Sequence, residues 1–158
     1  MAIDTEVSIH IDAPPARVYE LVADISRMGE WSPETYRTEW IDEAAGAVPG
    51  ARFKGYNRYG RIKWATTFEI EAADPGRQLS FATRFGKKTV GTRWSFALRP
   101  EGGGTELTQT RENLWTSRVV RGFEAVFMRG HEASFEASMR QTLERIKAAA
   151  EAKAAAQA

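Results

Sequence analysis

The sequence predicts an α+β domain in which an antiparallel sheet of six to seven strands curves around one long C-terminal helix. From Thr35 to Glu112, apolar and polar residues alternate in short segments separated by turn residues, a pattern typical of strands with one buried face. From Val119 to Ile146, apolar residues recur every three or four positions, which indicates an amphipathic helix. The apolar face of the sheet needs a cover, and this helix is the only predicted element long enough to provide it.

The chain begins with one further strand and two short helices. Thr5–Asp12 alternates between polar and apolar residues and predicts a strand. Pro14 and Pro15 then suit the first turn of a helix, because the N–H that proline lacks has no partner there. This helix is predicted over 16–25. A second helix is predicted over 26–31 and ends before Pro33.

The 158 residues fit one domain, which we place at residues 1–150, with a frayed helical tail over 151–158. The long helix is predicted from about Ser117 to Glu151. Gly122 and Gly130 fall inside it, and each costs roughly 1 kcal/mol relative to alanine. We therefore expect the helix to bend or to begin late.

Composition excludes several classes of function. The net charge is +1, from 22 basic and 21 acidic residues, which argues against a nucleic-acid binder. No stretch is long and apolar enough for a membrane span. Cysteine is absent and the two histidines are far apart in sequence, so we expect neither a thiolate nor a His-rich metal site. Residues 1–6 contain two acids and no basic residue, unlike a secretory signal, so a cytoplasmic location is expected.

Five segments resemble a known superfamily. Ile9–Tyr19 resembles its opening strand and first helix, which read hydrophobic-x-Ala-Pro-x-x-x-Val-[Trp/Tyr]. Asp24–Glu34 resembles its Asp-x-x-x-[apolar]-x-x-Trp-x-Pro segment. Phe53–Gly55 and Asp74–Arg77 match the spacing of its central hairpins, and Gly103–Thr108 resembles its Gly-Gly-Thr-x-[apolar]-Thr strand. The chain is thus similar to the SRPBCC (START-like, pollen-allergen-like) superfamily, and within it to the bacterial polyketide cyclase/dehydratase-like branch.

This resemblance implies the helix-grip fold, with a ligand cavity between sheet and helix. The superfamily includes carriers, hormone receptors, cyclases, aromatases and hydrolase-activator proteins, so the resemblance specifies the fold better than the function.

Aromatic rings dominate the predicted inward face. The predicted rings are Tyr36, Trp40, Trp64, Phe68, Phe81, Trp94, Phe96, Phe123, Phe127 and Phe135. The same rings could fill a solid core instead of lining a cavity. The polar residues in phase with them are Thr66, Thr83, Thr92, Gln109 and Arg111. A solid core would have to satisfy every one of these polar groups internally, so they favour the cavity.

Three polar residues are the main candidates for ligand recognition. An inward Arg111 would anchor a ligand carbonyl, enolate or carboxylate, unless it lies at the solvent-exposed end of its strand. Gln109 would orient the same ligand, or bond to backbone. Asn57 enters the pocket if Phe53, Gly55 and Asn57 face inward, and Gly55 would then allow close approach of a ligand.

His131 lies four residues from both Phe127 and Phe135, on or beside the inward stripe of the helix. A neutral imidazole there could act as a general base, although a lone histidine on a helix is more often a packing residue. No inward carboxylate is predicted beside it. Arg111 and His131 are the main candidates for a catalytic role, and Gln109 or Asn57 could also stabilise an enolate or transfer a proton.

The predicted function is binding of a small hydrophobic or aromatic molecule, polyketide- or lipid-like, in the internal cavity. The alternative is an enzyme of the polyketide cyclase, aromatase or dehydratase type that acts in the same cavity. A protein-interaction domain with a filled core is a third interpretation. No cofactor is expected, and an exposed edge strand could support a homodimer.

Overall fold

The structure is a computed structural model that describes residues 5–85, 88–114, 122, 126 and 130–156. Its elements follow the predicted order of one strand, two short helices, a run of strands and a long helix. They are β1 (Thr5–Ile11), α1 (Pro15–Ala23), a 3₁₀ turn (Ile25–Arg27), α2 (Met28–Trp31), β2 (Thr35–Ile41), β3 (Arg52–Tyr59), β4 (Ile62–Asp74), β5 (Gln78–Phe85), β6 (Lys88–Glu101), β7 (Gly104–Asn113) and α3 (His131–Ala156).

The described strands form one seven-stranded antiparallel sheet in the order β1-β7-β6-β5-β4-β3-β2. Strands β2 to β7 follow one another as a meander, while β1 pairs with β7. The two edges of the sheet are therefore β1 and β2. The predicted α+β fold, a curved antiparallel sheet around a C-terminal helix, is confirmed.

Helix α3 packs against β1, α1 and α2 and closes the core at that side of the sheet. Met139, Leu143 and Ile146 lie three or four residues apart and are almost completely buried. They belong to one core cluster with Val7 and Ile11 of β1. Removal of these apolar side chains from water is the main force that holds the helix to the sheet.

Helix α3 starts directly after Gly130, one of the two glycines that were expected to weaken the long helix. Gly130 has a φ of +82°, a left-handed conformation that interrupts a right-handed helix. The described helix α3 consequently begins at His131, and the predicted start near Ser117 lies outside the described residues. Gly122 and Val126 are also helical, but the residues around them lie outside the described part of the chain. At its other end α3 continues to Ala156, beyond the predicted limit at Glu151.

Ion pairs cover the outer face of the sheet. Arg93 on β6 donates hydrogen bonds to Glu71 on β4 at 2.6 Å and to Glu112 on β7 at 3.1 Å. These carboxylates raise the pKa of the Arg93 guanidinium. Because charged residues occupy the outer face, the alternation along each strand places the apolar residues on the inner face.

Candidate functional site

A cavity of about 410 Å³ lies between the inner face of the sheet, the segment that contains α1 and α2, and helix α3. Its wall consists mainly of aromatic and aliphatic side chains interrupted by hydroxyl, amide and charged groups. The residues from the sheet are Thr35, Asn57, Ile62, Lys63, Trp64, Thr66, Phe68, Phe81, Thr83, Thr92, Trp94, Phe96, Gln109 and Arg111. The others are Val22, Met28, Trp31, Ser32, Pro33 and Glu34, with His131, Phe135, Ser138, Met139 and Thr142 from α3.

Most of the predicted ligand-contacting residues are in this wall. They are Asn57, Trp64, Phe68, Phe81, Thr83, Thr92, Trp94, Gln109, Arg111, His131 and Phe135. Their contact with a ligand stays a prediction. Phe123 and Phe127, which were also predicted to line the cavity, lie outside the described residues.

The prediction for Tyr36 is wrong. Its side chain is on the outer face and 40% exposed, within reach of the cationic groups of Arg58 and Lys63. A β-bulge between Thr35 and Arg37 makes Tyr36 the extra residue of β2, so Thr35 takes the inward position instead.

Trp40 does face inward, but it does not line the cavity. It is in edge-to-face contact with Phe53 at 5.8 Å, and Phe53 is completely buried in the core. Trp40 therefore contributes to the core at the end of the sheet rather than to the site.

The inward face of β3 is the one that contains Phe53, Gly55 and Asn57. A Cβ atom on Gly55 would lie 3.3 Å from the ring of Phe68. This glycine therefore accommodates protein side chains, and the expectation that it admits a ligand is wrong. The Asn57 amide accepts a hydrogen bond from Thr35 Oγ1 at 2.7 Å and donates one to Thr66 Oγ1 at 3.3 Å.

Gln109 and Arg111 project from β7 toward the cavity, and both are buried, with 6% and 5% of their surface exposed. The alternative in which Arg111 lies in solvent is therefore wrong. The guanidinium carbon of Arg111 lies 3.9 Å from the ring centroid of Phe135, a cation–π contact. The Oε1 atom of Gln109 is buried and has no hydrogen-bond partner among the described residues.

His131 has a carboxylate partner that the sequence analysis did not find. Its Nε2 donates a hydrogen bond to Glu34 Oε2 at 2.8 Å, and both side chains lie in the cavity wall. The histidine ring also contacts Phe135 at 4.6 Å and Tyr59 at 4.8 Å between ring centroids. The expectation that no carboxylate accompanies His131 is therefore wrong. Glu34 was missed because it follows Pro33 in a turn, where no periodic pattern predicts the direction of a side chain.

The described residues contain no cluster of three or more His, Asp or Glu side chains that could hold a metal ion. None of the described helices is long and apolar enough to cross a membrane. For polar recognition or proton transfer the site offers, among other groups, the Gln109 amide, the Arg111 guanidinium and the His131–Glu34 pair, within a largely aromatic wall.

Comparison with solved structures places the chain among proteins of this fold. A polyketide-cyclase-like protein from Corynebacterium glutamicum is 35% identical, with 93% of this chain and 84% of that chain covered and a TM-score of 0.51. The di-domain ARO/CYC StfQ from the steffimycin biosynthetic pathway is 15% identical, with a TM-score of 0.73 over 96% of this chain and 51% of that chain. The Aha1 dimer from Colwellia psychrerythraea is 18% identical, with a TM-score of 0.63 and coverages of 96% and 97%.

No curated protein is significantly similar to the chain. The family model described as "Polyketide cyclase / dehydrase and lipid transport" matches residues 2–151, nearly the whole sequence. With the seven-stranded sheet and the cavity beneath it, this match shows that the chain belongs to the polyketide cyclase/dehydrase and lipid transport family, in the polyketide cyclase-like branch of the SRPBCC superfamily.

Proposed function

We propose that this protein binds a small hydrophobic or aromatic molecule, polyketide- or lipid-like, in the cavity between its sheet and α3. The observation that carries the proposal is the cavity of about 410 Å³, which falls in the size range of small-molecule sites. Its wall combines rings such as Trp64 and Trp94 with a few polar groups, the usual composition of such sites. The family description, which names polyketide cyclases, dehydrases and lipid transport, supports the same class of ligand.

The test uses two variants that introduce the same side chain at adjacent positions of α3. Ser138 lies in the cavity wall, whereas Ala137 is exposed. Ser138→Phe fills part of the cavity, and we expect it to weaken binding of 2-naphthol more than tenfold in isothermal titration calorimetry. Ala137→Phe should bind 2-naphthol as the unmodified protein does.

Native mass spectrometry of the protein purified from its own host should also detect a retained small molecule. The proposal fails if the protein retains no molecule and also binds no two-ring aromatic. It fails equally if Ser138→Phe and Ala137→Phe bind 2-naphthol alike.

A second candidate function, proton transfer to or from a bound ketone, is favoured by the His131–Glu34 pair. When Nε2 of His131 donates its proton to Glu34, Nδ1 is the basic nitrogen of the neutral ring. A carboxylate that orients a histidine base is a recurrent catalytic arrangement. Arg111 and His131 both contact the ring of Phe135 and both line the cavity, where a guanidinium would stabilise an enolate oxygen.

In this reaction a proton on the carbon next to the ketone carbonyl moves to Nδ1 of His131, and the electron pair of that C–H bond becomes part of the enolate. In D₂O the proton on Nδ1 exchanges with the solvent, and the reverse step then returns a deuteron to carbon. We expect the protein to accelerate deuterium exchange of 2-tetralone, and His131→Gln to abolish this acceleration while the affinity for 2-tetralone is retained. An exchange rate identical to that in buffer would rule out this second function and leave the binding function standing.

A further inference from the structure

The side-chain oxygen of Gln109 is a buried acceptor in the cavity wall for which the described residues provide no donor. Gln109 pairs with Val7 on β1 and with Phe96 on β6, so apolar residues flank it on both neighbouring strands. Only 6% of the surface of Gln109 is exposed, and its Oε1 atom has no hydrogen-bond partner among the described residues. Buried acceptors in native proteins nearly always have a donor, so such an exception calls for an explanation.

Other polar side chains of the cavity already use their hydrogen-bonding groups within the protein. Asn57 bonds to Thr35 and Thr66. The hydroxyl of Thr83 bonds to the backbone of Thr92, donating to its carbonyl oxygen at 3.3 Å and accepting from its N–H at 3.4 Å. The unsatisfied acceptor is therefore a local feature of β7 and not a general property of the cavity wall.

We infer that Gln109 selects ligands that carry a neutral hydroxyl group, which donates a hydrogen bond to its Oε1 atom; this inference rests on the proposed binding function. An acceptor oxygen requires a donor, which excludes a carboxylate, an ether or a bare hydrocarbon from this position. Arg111 lies two residues further along the same face of β7, about 7 Å away by strand geometry. Its positive charge disfavours an ammonium group beside Gln109 and leaves an uncharged hydroxyl as the matching donor.

The molecule recognised here is thus an aromatic or alicyclic alcohol, phenol or enol whose rings contact Trp94 and Phe96. A hydroxyl that donates to this otherwise unpartnered oxygen in a desolvated site should tighten binding about tenfold over an analogue that cannot donate. Gln109 is then the residue that determines specificity for oxygenated over purely apolar ligands.

The experiment compares 2-naphthol, 2-methoxynaphthalene and naphthalene as probes in titration calorimetry. All three share the same two-ring skeleton, and only 2-naphthol can donate a hydrogen bond. For the unmodified protein we expect 2-naphthol to bind about tenfold more tightly than 2-methoxynaphthalene. In Gln109→Met the two affinities should become equal, through loss of 2-naphthol affinity alone.

Gln78→Met is the matched control, because Gln78 is an exposed residue at the start of β5 and outside the cavity wall. It should retain the tenfold preference. Gln109→Leu provides a second amide-free variant in case the methionine variant does not fold.

Equal binding of 2-naphthol and 2-methoxynaphthalene by the unmodified protein would overturn the inference, as would a preference that persists in Gln109→Met or Gln109→Leu. If none of the three probes binds, the inference fails, and the proposed cavity function fails with it if the purified protein also retains no small molecule. If all three bind with equal affinity, the cavity function stands and only the role of Gln109 is refuted.

Discussion

The contact between Arg111 and Phe135 joins the sheet to α3 inside the cavity wall, and replacement of Phe135 by leucine should reveal its strength. The guanidinium carbon lies 3.9 Å from the ring centroid, and only 5% of Arg111 and 6% of Phe135 are exposed. A cation–π contact shielded from water in this way contributes about 2 kcal/mol. The edge-to-face contact with Trp94 at 5.9 Å adds about 1 kcal/mol. Leucine keeps much of the apolar volume but loses both contacts, so Phe135→Leu should lower the free energy of unfolding by about 3 kcal/mol.

Urea denaturation measures this loss, and a double-mutant cycle separates the contact with Arg111 from the rest. With Arg111→Met as the second change, the coupling energy should be about 1–2 kcal/mol, the size expected for residues in direct contact. Phe53→Leu is the control, because Phe53 is a buried ring that packs against Phe68 and Phe81 instead. Its effect should add to that of Arg111→Met within about 0.5 kcal/mol. A coupling between Phe135 and Arg111 no larger than this control would refute the reasoning.

Three further predictions concern Gln109, His10 and Leu143. Gln109→Met removes a buried acceptor for which the described residues provide no partner, so we expect the free energy of unfolding of the ligand-free variant, measured by urea denaturation, to rise by about 1 kcal/mol. An unchanged or reduced stability would contradict this. The hydrogen bond with Asp12 raises the pKa of His10 above 6.5 in the folded protein. The stabilisation that protonated His10 provides is therefore fully present below pH 6.5 and is lost as the pH rises through the pKa of the folded state. An NMR titration should place the His10 midpoint above 6.5, and Asp12→Asn should lower it; a midpoint insensitive to this change would be inconsistent with the assigned cause. Leu143→Ala should lower the free energy of unfolding by about 3 kcal/mol in the same assay, because the Leu143 side chain is completely buried. A loss below about 1 kcal/mol would show that the side chain is not closely packed.

Local patterns in the sequence were sufficient to predict the order of elements. The alternation in segments such as β4 and β6 follows from strand geometry, in which successive side chains point to opposite faces. It also places Gln109 and Arg111 correctly on the inner face, since both share the phase of Leu107. The glycine at 130 indicated an interrupted or late helix, and the structure shows α3 beginning directly after it.

The error at Tyr36 shows where a strictly periodic interpretation fails. A single bulge in β2 changes which residue faces inward, and it depends on the pairing of β2 with β3. An alternating pattern of side chains does not reveal where one strand gains a residue relative to its partner. Trp40, beyond the bulge, keeps its inward direction but contacts the core instead of the cavity.

The sequence by itself determined the fold, the inward direction of β7 and most of the aromatic wall, because these depend on periodicity along single strands and helices. Only the tertiary structure decided which polar groups meet inside. Glu34 and His131 are 97 residues apart, yet their side chains are in hydrogen-bond contact. Gln109 could be recognised as unsatisfied only once the partners of its neighbours were known. Hydrogen bonds between distant segments require the exact positions of both groups, and these are set by the packing of the sheet against α3.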